Sequence, residues 1–204
     1  PTYKTDGANT AVKNIIFLIG DGMGLAQIQA GLSANFGQSN IITMKHIGFS
    51  RTEASNSDFT DSAAGGTALA TGHKTNNRYI GVDAEGKVVR SIPDTLAQYG
   101  IKIAIISAGD ITDATPAAFY AHQIDRTMSQ EIAADFKNSN VDILIGSHRE
   151  SFLANKDGKL MQQLKEKGYQ LQQTLSAFEG VTSGKQMVLL SDSATRSILD
   201  GRGD

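Results

Sequence analysis

Four short apolar runs narrow the folds open to this chain. Residues 14–19, 101–106, 141–145 and 187–190 are continuous in hydrophobicity, too short for helices and rich in strand formers. A strand reads this way when both of its faces are covered, as in a parallel sheet, whereas a half-exposed strand alternates. Stretches with helical patterning separate or follow the runs: 24–36, 63–71, 92–98, 116–122, 129–137, 160–167 and 171–177. Strand alternating with helix predicts an α/β fold, a mostly parallel central sheet with helices on both faces. Gly100 and Gly168 sit where helices should stop, and a C-cap role accounts for both.

Composition supports a globular reading and removes several classes of function. The 204 residues are 40% hydrophobic and 20% charged, with a net charge of −2, which suits one domain or one large piece of a domain. Near neutrality gives no general attraction for nucleic-acid phosphates or anionic lipid, so any anion site must be local. The longest apolar stretch, 15–19, is far short of the ~20 residues of a membrane span. The absence of cysteine excludes disulfides, thiolate zinc sites and cysteine nucleophiles, leaving oxygen or imidazole as metal donors. The chain opens on Pro1 with no recognisable signal sequence, and residues 191–204 follow the last run without a closing element.

In an open parallel sheet the loops after the strands are where ligands bind. The first such loop is Gly20-Asp-Gly-Met-Gly24. Asp21 stands between glycines that permit a tight turn, a place for a carboxylate metal ligand and equally for an ordinary helix cap. The third glycine of a dinucleotide fingerprint is missing, which argues against a nicotinamide cofactor. The second segment is Thr60-Asp-Ser-Ala-Ala-Gly-Gly-Thr-Ala68, small residues around one hydroxyl ahead of a helix. A helix N-terminus favours negative charge, so Ser62 can serve as an oxygen nucleophile there; Asp61 or Ser62 as a plain cap is the bland alternative. No Gly-x-Ser-x-Gly elbow is present, so phosphoryl chemistry fits better than acyl chemistry.

The third segment runs from Asp110 to Arg126, immediately after the second apolar run. Thr115 before Pro116 reads as a helix start, with Asp113 just outside it and both placed to share a hard cation. A helix continuing from Pro116 would put His122 and Arg126 four apart on one face, aiming an arginine fork at the same cavity. The alternative is a surface arginine paired with a neighbour such as Asp125. His46, His73 and His148 are scattered and build no zinc site.

As a set these residues resemble bacterial alkaline phosphatase. The matching segments are Asn14-Ile-Ile-Phe-Leu-Ile-Gly-Asp-Gly-Met-Gly24, Thr60-Asp-Ser-Ala-Ala64 with Thr71-Gly72, and Asp113-Ala-Thr-Pro-Ala-Ala118 with His122 and Arg126. The resemblance covers residues 13–126 and, more loosely, the strand and glycine at 141–146; no family motif is evident beyond Ser151. It implies phosphomonoester hydrolysis with Ser62 as the nucleophile of a phosphoserine intermediate, Arg126 gripping two phosphate oxygens and Asp61 orienting that arginine. It further implies that Asp21 bridges zinc and magnesium, that Asp113 and Thr115 serve the magnesium, and that Ser62 also meets metal. Two zinc ions and one magnesium per complete site, a homodimer when full length, and a periplasmic or secreted location belong to the same implication.

Most zinc ligands of that family lie in the second half of a chain about twice this long. Residues 1–204 are therefore expected to be the N-terminal portion of a single α/β domain, with the C-terminal portion absent and the isolated chain inactive. A phosphodiesterase or mutase of the same superfamily is the enzyme alternative. Ser62 with an arginine fork favours a monoester, and no sulfatase context surrounds it. A non-catalytic phosphate-binding module, relying on helix N-termini alone, is the alternative from another class.

Overall fold

A computed structural model describes residues 12–156 and 158–201, and the polar stretch 1–11 and the last three residues lie outside this description. The chain divides into two compact units, Pro1–Ile47 and Gly48–Asp204.

Within the first unit, α1 (Leu25–Ala34) follows a turn at Gly20–Gly24 and precedes a single 3-10 turn, Asn40–Thr43. Gly22 adopts φ 64°, and the Gly24 N–H donates to Gln27 Oε1 at 3.1 Å, closing the helix start. The strand expected over 14–19 does not form. Ile15, Ile16 and Leu18 are more than four-fifths exposed, and no strand among the described residues pairs with the run. Strand propensity reflects how well a side chain suits a pleated surface; it supplies neither the neighbouring backbone nor the face that makes a strand worth forming.

The second unit contains α2 (Ser62–Thr71), α3 (Ile92–Ala97), β1 (Ala104–Asp110), α4 (Ala114–Ala117), α5 (Ser129–Asp135), β2 (Ile143–Ser147), α6 (Glu150–Leu153), α7 (Leu160–Glu166), β3 (Tyr169–Gln172), α8 (Leu175–Phe178) and β4 (Lys185–Leu189). The four strands form one parallel sheet in the order β1-β2-β4-β3, with Ile143 opposite Ala104 on one side and Gln186 on the other. The two central strands explain why their sequences read as unbroken apolar runs. Leu144, Met187 and Leu189 face the larger core, while Ile145, Val188 and Leu190 meet Ile143 and Phe178 of α8 on the opposite face.

The larger core is organised around Phe136, which makes edge-on contacts with Tyr120 (5.3 Å) and Phe152 (6.0 Å) and a tilted one with Tyr169 (5.2 Å). Burying such a ring contributes about 1.5–3 kcal/mol, before any gain from the aromatic geometry. β3 was hidden in the sequence, where 171–177 reads as helix. Tyr169–Gln172 is a four-residue strand at the sheet edge, and the helix that follows, α8, is a single turn.

β1 and β2 end together, Asp110 opposite Ser147, after an irregularity in register between Ile106 and Asp110. A Cβ on Gly146 would lie 2.8 Å from Ile111 Cβ and 3.1 Å from Gly109 O, so only glycine fits beneath this bend. The bend delivers the chain from β1 into α4 and the loop that carries Arg126.

Candidate functional site

Ser62 is the first residue of α2, and Asp61 is its N-cap. Asp61 has extended backbone (φ −100°, ψ 176°), and its Oδ1 accepts from Ala64 N–H at 2.9 Å, the hydrogen bond expected of a capping carboxylate. Gly72, in the left-handed conformation at φ 75°, ends the helix with its N–H on Ala68 O. Small side chains let α2 pack closely. A Cβ on Gly66 would stand 3.2 Å from Ala118 Cβ and 3.4 Å from Thr115 Cα, so α2 and α4 are in near contact. The sequence therefore brings Ser62, Asp113 and Thr115 to one neighbourhood by leaving side chains out.

α4 begins two residues earlier than the sequence suggests. Asp113, not Thr115, is the N-cap, its Oδ1 accepting from Ala114 N–H at 2.7 Å. Pro116 is tolerated inside this helix because the first turn has no intrahelical partner for its N–H groups. The helix also stops at Ala117 rather than reaching His122. His122 pairs elsewhere: its backbone N–H donates to Asp135 Oδ2 and its Nδ1 lies 2.7 Å from Gly81 O. His122 and Arg126 thus share no helix face, and Arg126 reaches the site from a turn.

Arg126 joins the two capping carboxylates. Its Nη2 donates to Asp113 Oδ1 at 2.9 Å, and its Nη1 stands 3.4 Å from Asp61 Oδ2, at the long end of hydrogen bonding. The Asp61 and Arg126 side chains are each 25% exposed, while that of Asp113 is 54% exposed. Partial burial disfavours the guanidinium charge, but the Asp113 hydrogen bond and the charges of Asp113 and Asp61 outweigh it, leaving the Arg126 pKa above its ordinary value. The arginine stays charged at any working pH. The neighbour pairing of Arg126 with Asp125 is not what forms.

Asp125 instead takes Arg78, which sequence inspection passed over. Arg78 Nε and Nη2 donate to the two Asp125 oxygens at 2.8 and 2.9 Å, a side-on fork. This hydrogen bond, helped by two from Thr127, holds the Asp125 carboxyl well below the usual carboxylate range. Arg78 has φ 75°, and its backbone N–H donates to Asp61 Oδ2 at 3.0 Å. Asn77 completes the cradle: its Oδ1 accepts from Asp61 N–H at 2.8 Å, and its Nδ2 donates to Phe59 O. Thr67, fully buried on α2, receives Gly81 N–H and donates to Tyr79 O, fixing this loop against the helix. The signal for the loop was the Asn76-Asn-Arg-Tyr-Ile-Gly81 sequence, a turn-rich segment ending in a glycine with φ 60°.

Metal donors are sparse. Among the described residues no three His, Asp or Glu side chains are grouped to hold an ion. Asp113 and Thr115 supply hard oxygen donors, although Asp113 Oδ1 is already engaged by Arg126 and Ala114. Asp21 lies in the first unit, exposed on the Gly20–Gly24 turn. These side chains fall short of a zinc or magnesium site on their own. No helix among the described residues is long and apolar enough to cross a membrane.

Comparison with known proteins agrees with the motifs. A family profile described as alkaline phosphatase matches residues 12–190, extending well past the last motif visible by eye. Alkaline phosphatase 4 of Bacillus subtilis (strain 168) is 33% identical over 204 residues, covering 93% of this chain and 44% of its own length. Alkaline phosphatase of Escherichia coli (strain K12) is 29% identical, with 85% of this chain and 44% of its own length covered. Among solved structures, alkaline phosphatase from the Antarctic bacterium TAB5 superposes with a TM-score of 0.83 at 37% identity, covering 90% of this chain and 55% of that one. A histidine-to-aspartate variant of that enzyme, with a TM-score of 0.82 and 37% identity over 90% of this chain and 54% of its own, was solved with Mg bound in its M3 site. The chain spans about half the length of the relatives it matches.

Proposed function

The chain belongs to the alkaline phosphatase family, and from that premise we propose that it carries the nucleophile and phosphate-gripping part of a phosphomonoester hydrolase. The supporting observation is the bridge Asp61–Arg126–Asp113 beside Ser62. A guanidinium has five N–H donors, and the two carboxylates use one on each terminal nitrogen, so a second N–H on each remains for two phosphate oxygens. Asp61 both caps the helix that begins with Ser62 and holds the arginine, which couples the nucleophile to the oxyanion grip through one carboxylate.

In this reading Ser62 Oγ loses its proton and bonds to phosphorus as the P–O bond to the alcohol breaks. The alcohol leaves carrying a proton. Water then breaks the Oγ–P bond, restoring the hydroxyl and releasing inorganic phosphate. Arg126 offsets the charge on the equatorial oxygens, and the N-terminal end of α2 favours the anionic oxygen. Zinc and magnesium would count Asp21, Asp113 and Thr115 among their oxygen donors. Among the described residues the donors do not complete a site, and the chain alone is expected to be inactive. The same reading extends to dimers and to a periplasmic or secreted location.

The test compares p-nitrophenyl phosphate turnover by this chain with that of a chain extended to the length of the relatives, each with added zinc and magnesium. We expect turnover only in the longer chain and its loss in Ser62→Ala, with inorganic phosphate still bound and no phosphoryl group on the Ser62 peptide by mass spectrometry. Unimpaired turnover by Ser62→Ala would overturn the assignment and favour a module that binds phosphate without a nucleophile.

A further inference from the structure

We propose that Arg78 and Asp125 are positioning residues that aim Arg126 at the phosphate, an inference that rests on the gripping role just assigned to Arg126. Four residues close a ring. Asp61 Oδ2 receives both the Arg78 backbone N–H and Arg126 Nη1; the Arg78 side chain forks onto Asp125; and Asp125 precedes Arg126 in the chain. Asp125 Oδ1 also accepts from the Thr127 N–H (2.9 Å) and hydroxyl (2.6 Å), so one carboxylate grips the backbone on the far side of Arg126 as well. The turn at 125–127 is therefore held to the 77–81 loop, and that loop is held to α2 by Thr67.

Two features separate this arrangement from an ordinary surface ion pair. The Arg78 and Asp125 side chains are 53% and 35% exposed, a setting in which an ion pair contributes little to stability. Yet the geometry is a two-point fork, and Arg78 occupies a left-handed backbone conformation that side-chain-bearing residues seldom adopt. That conformation accompanies a division of labour, with the backbone N–H on Asp61 and the guanidinium on Asp125. A device that adds little stability while spanning 47 residues of sequence acts on geometry, and the geometry it sets is the starting point of the Arg126 side chain.

Arg78→Gly is the informative variant, since it deletes the fork, keeps the N–H on Asp61 and suits the positive φ. Asp125→Ala removes the other half, and Arg78→Lys keeps the charge without the fork. The readouts are the Arg126 side-chain Nε–Hε resonance by NMR, the affinity for inorganic phosphate by titration, and the melting temperature. In Arg78→Gly we expect the Arg126 resonance to lose its restricted motion and phosphate affinity to fall about tenfold, with the melting temperature little changed. Arg78→Lys should not restore either property, and the double variant Arg78→Gly/Asp125→Ala should be no worse than the worse single one. An Arg126 resonance as ordered in Arg78→Gly as in the parent overturns the proposal. A parent chain whose Arg126 responds to Arg78→Gly but which binds no phosphate upholds the positioning ring and overturns the gripping role.

Discussion

Replacing Asp61 by alanine and, separately, by asparagine divides its two duties. Asparagine caps helices as well as aspartate does, so its side-chain oxygen can still accept from Ala64 N–H; its amide, however, presents donors to Arg78 N–H and Arg126 Nη1, which are themselves donors. Alanine loses everything. The cap contributes about 1 kcal/mol. The Arg78 N–H bond adds ~1 kcal/mol. The Arg126 ion pair, one-quarter exposed on both sides, adds ~0.5 kcal/mol after allowance for solvent. Asp61→Ala should therefore cost roughly 2.5 kcal/mol, or a fall of about 5–10 °C in melting temperature for a unit of this size, and Asp61→Asn about 1 kcal/mol less. Far-UV circular dichroism on heating, with urea denaturation for the free energies, measures both. Equal losses in the two variants would show that the cap has no separate worth, and a loss below ~0.5 kcal/mol in Asp61→Ala would refute the ledger.

Gly81→Ala would place a Cβ 2.1 Å from Ala121 O and 2.7 Å from His122 Nδ1, whereas Gly180→Ala, also at positive φ, meets nothing within 4 Å. Both bear the left-handed cost of about 1–2 kcal/mol, but Gly81→Ala should lose a further ~1–3 kcal/mol in urea denaturation, and equal losses would deny the packing contribution. Burial pushes the Tyr169 phenol up to about 12, the Ser139 hydrogen bond opposing and the Asp142 charge assisting, and burial likewise raises Tyr120. A folded-state pKa above the unfolded ~10 gives stability that is complete below pH 10 and lost as pH rises through the folded value, so phenolate absorbance should lag until the chain unfolds. Full ionisation by pH ~10.5 in the folded chain would contradict this.

Local signals were legible where local chemistry decides the outcome. Asp61 before a small-residue helix announced α2, and the central strands read as unbroken apolar runs because Leu144 and Ile145 face different cores. Asp61, Ser62, Asp113, Thr115 and Arg126 stand out in the sequence as candidates, and their segments fall in one unit, whereas Asp21 belongs to the other. What could not be read is pairing at a distance. Proximity in sequence suggested Asp125 for Arg126, but Arg78, 47 residues from Asp125, outcompetes it with a planar fork. The α4 start was misjudged because Thr-Pro is a strong helix-start signal and an aspartate two residues earlier is a stronger cap. β3 was missed because four residues at a sheet edge carry too few alternations to outweigh the helix formers that follow.

The exposed run 14–19 has a consequence for handling this chain. It is a six-residue window, apolar from Ile15 to Ile19 and free of charge, proline and glycine, with Ile15, Ile16 and Leu18 turned to solvent. Such segments stack in register between copies, each backbone satisfying the next, and the dry side-chain seams that result are hard to undo. The concentration at which the chain precipitates should therefore depend far more on residues 14–19 than on the melting temperature of the sheet.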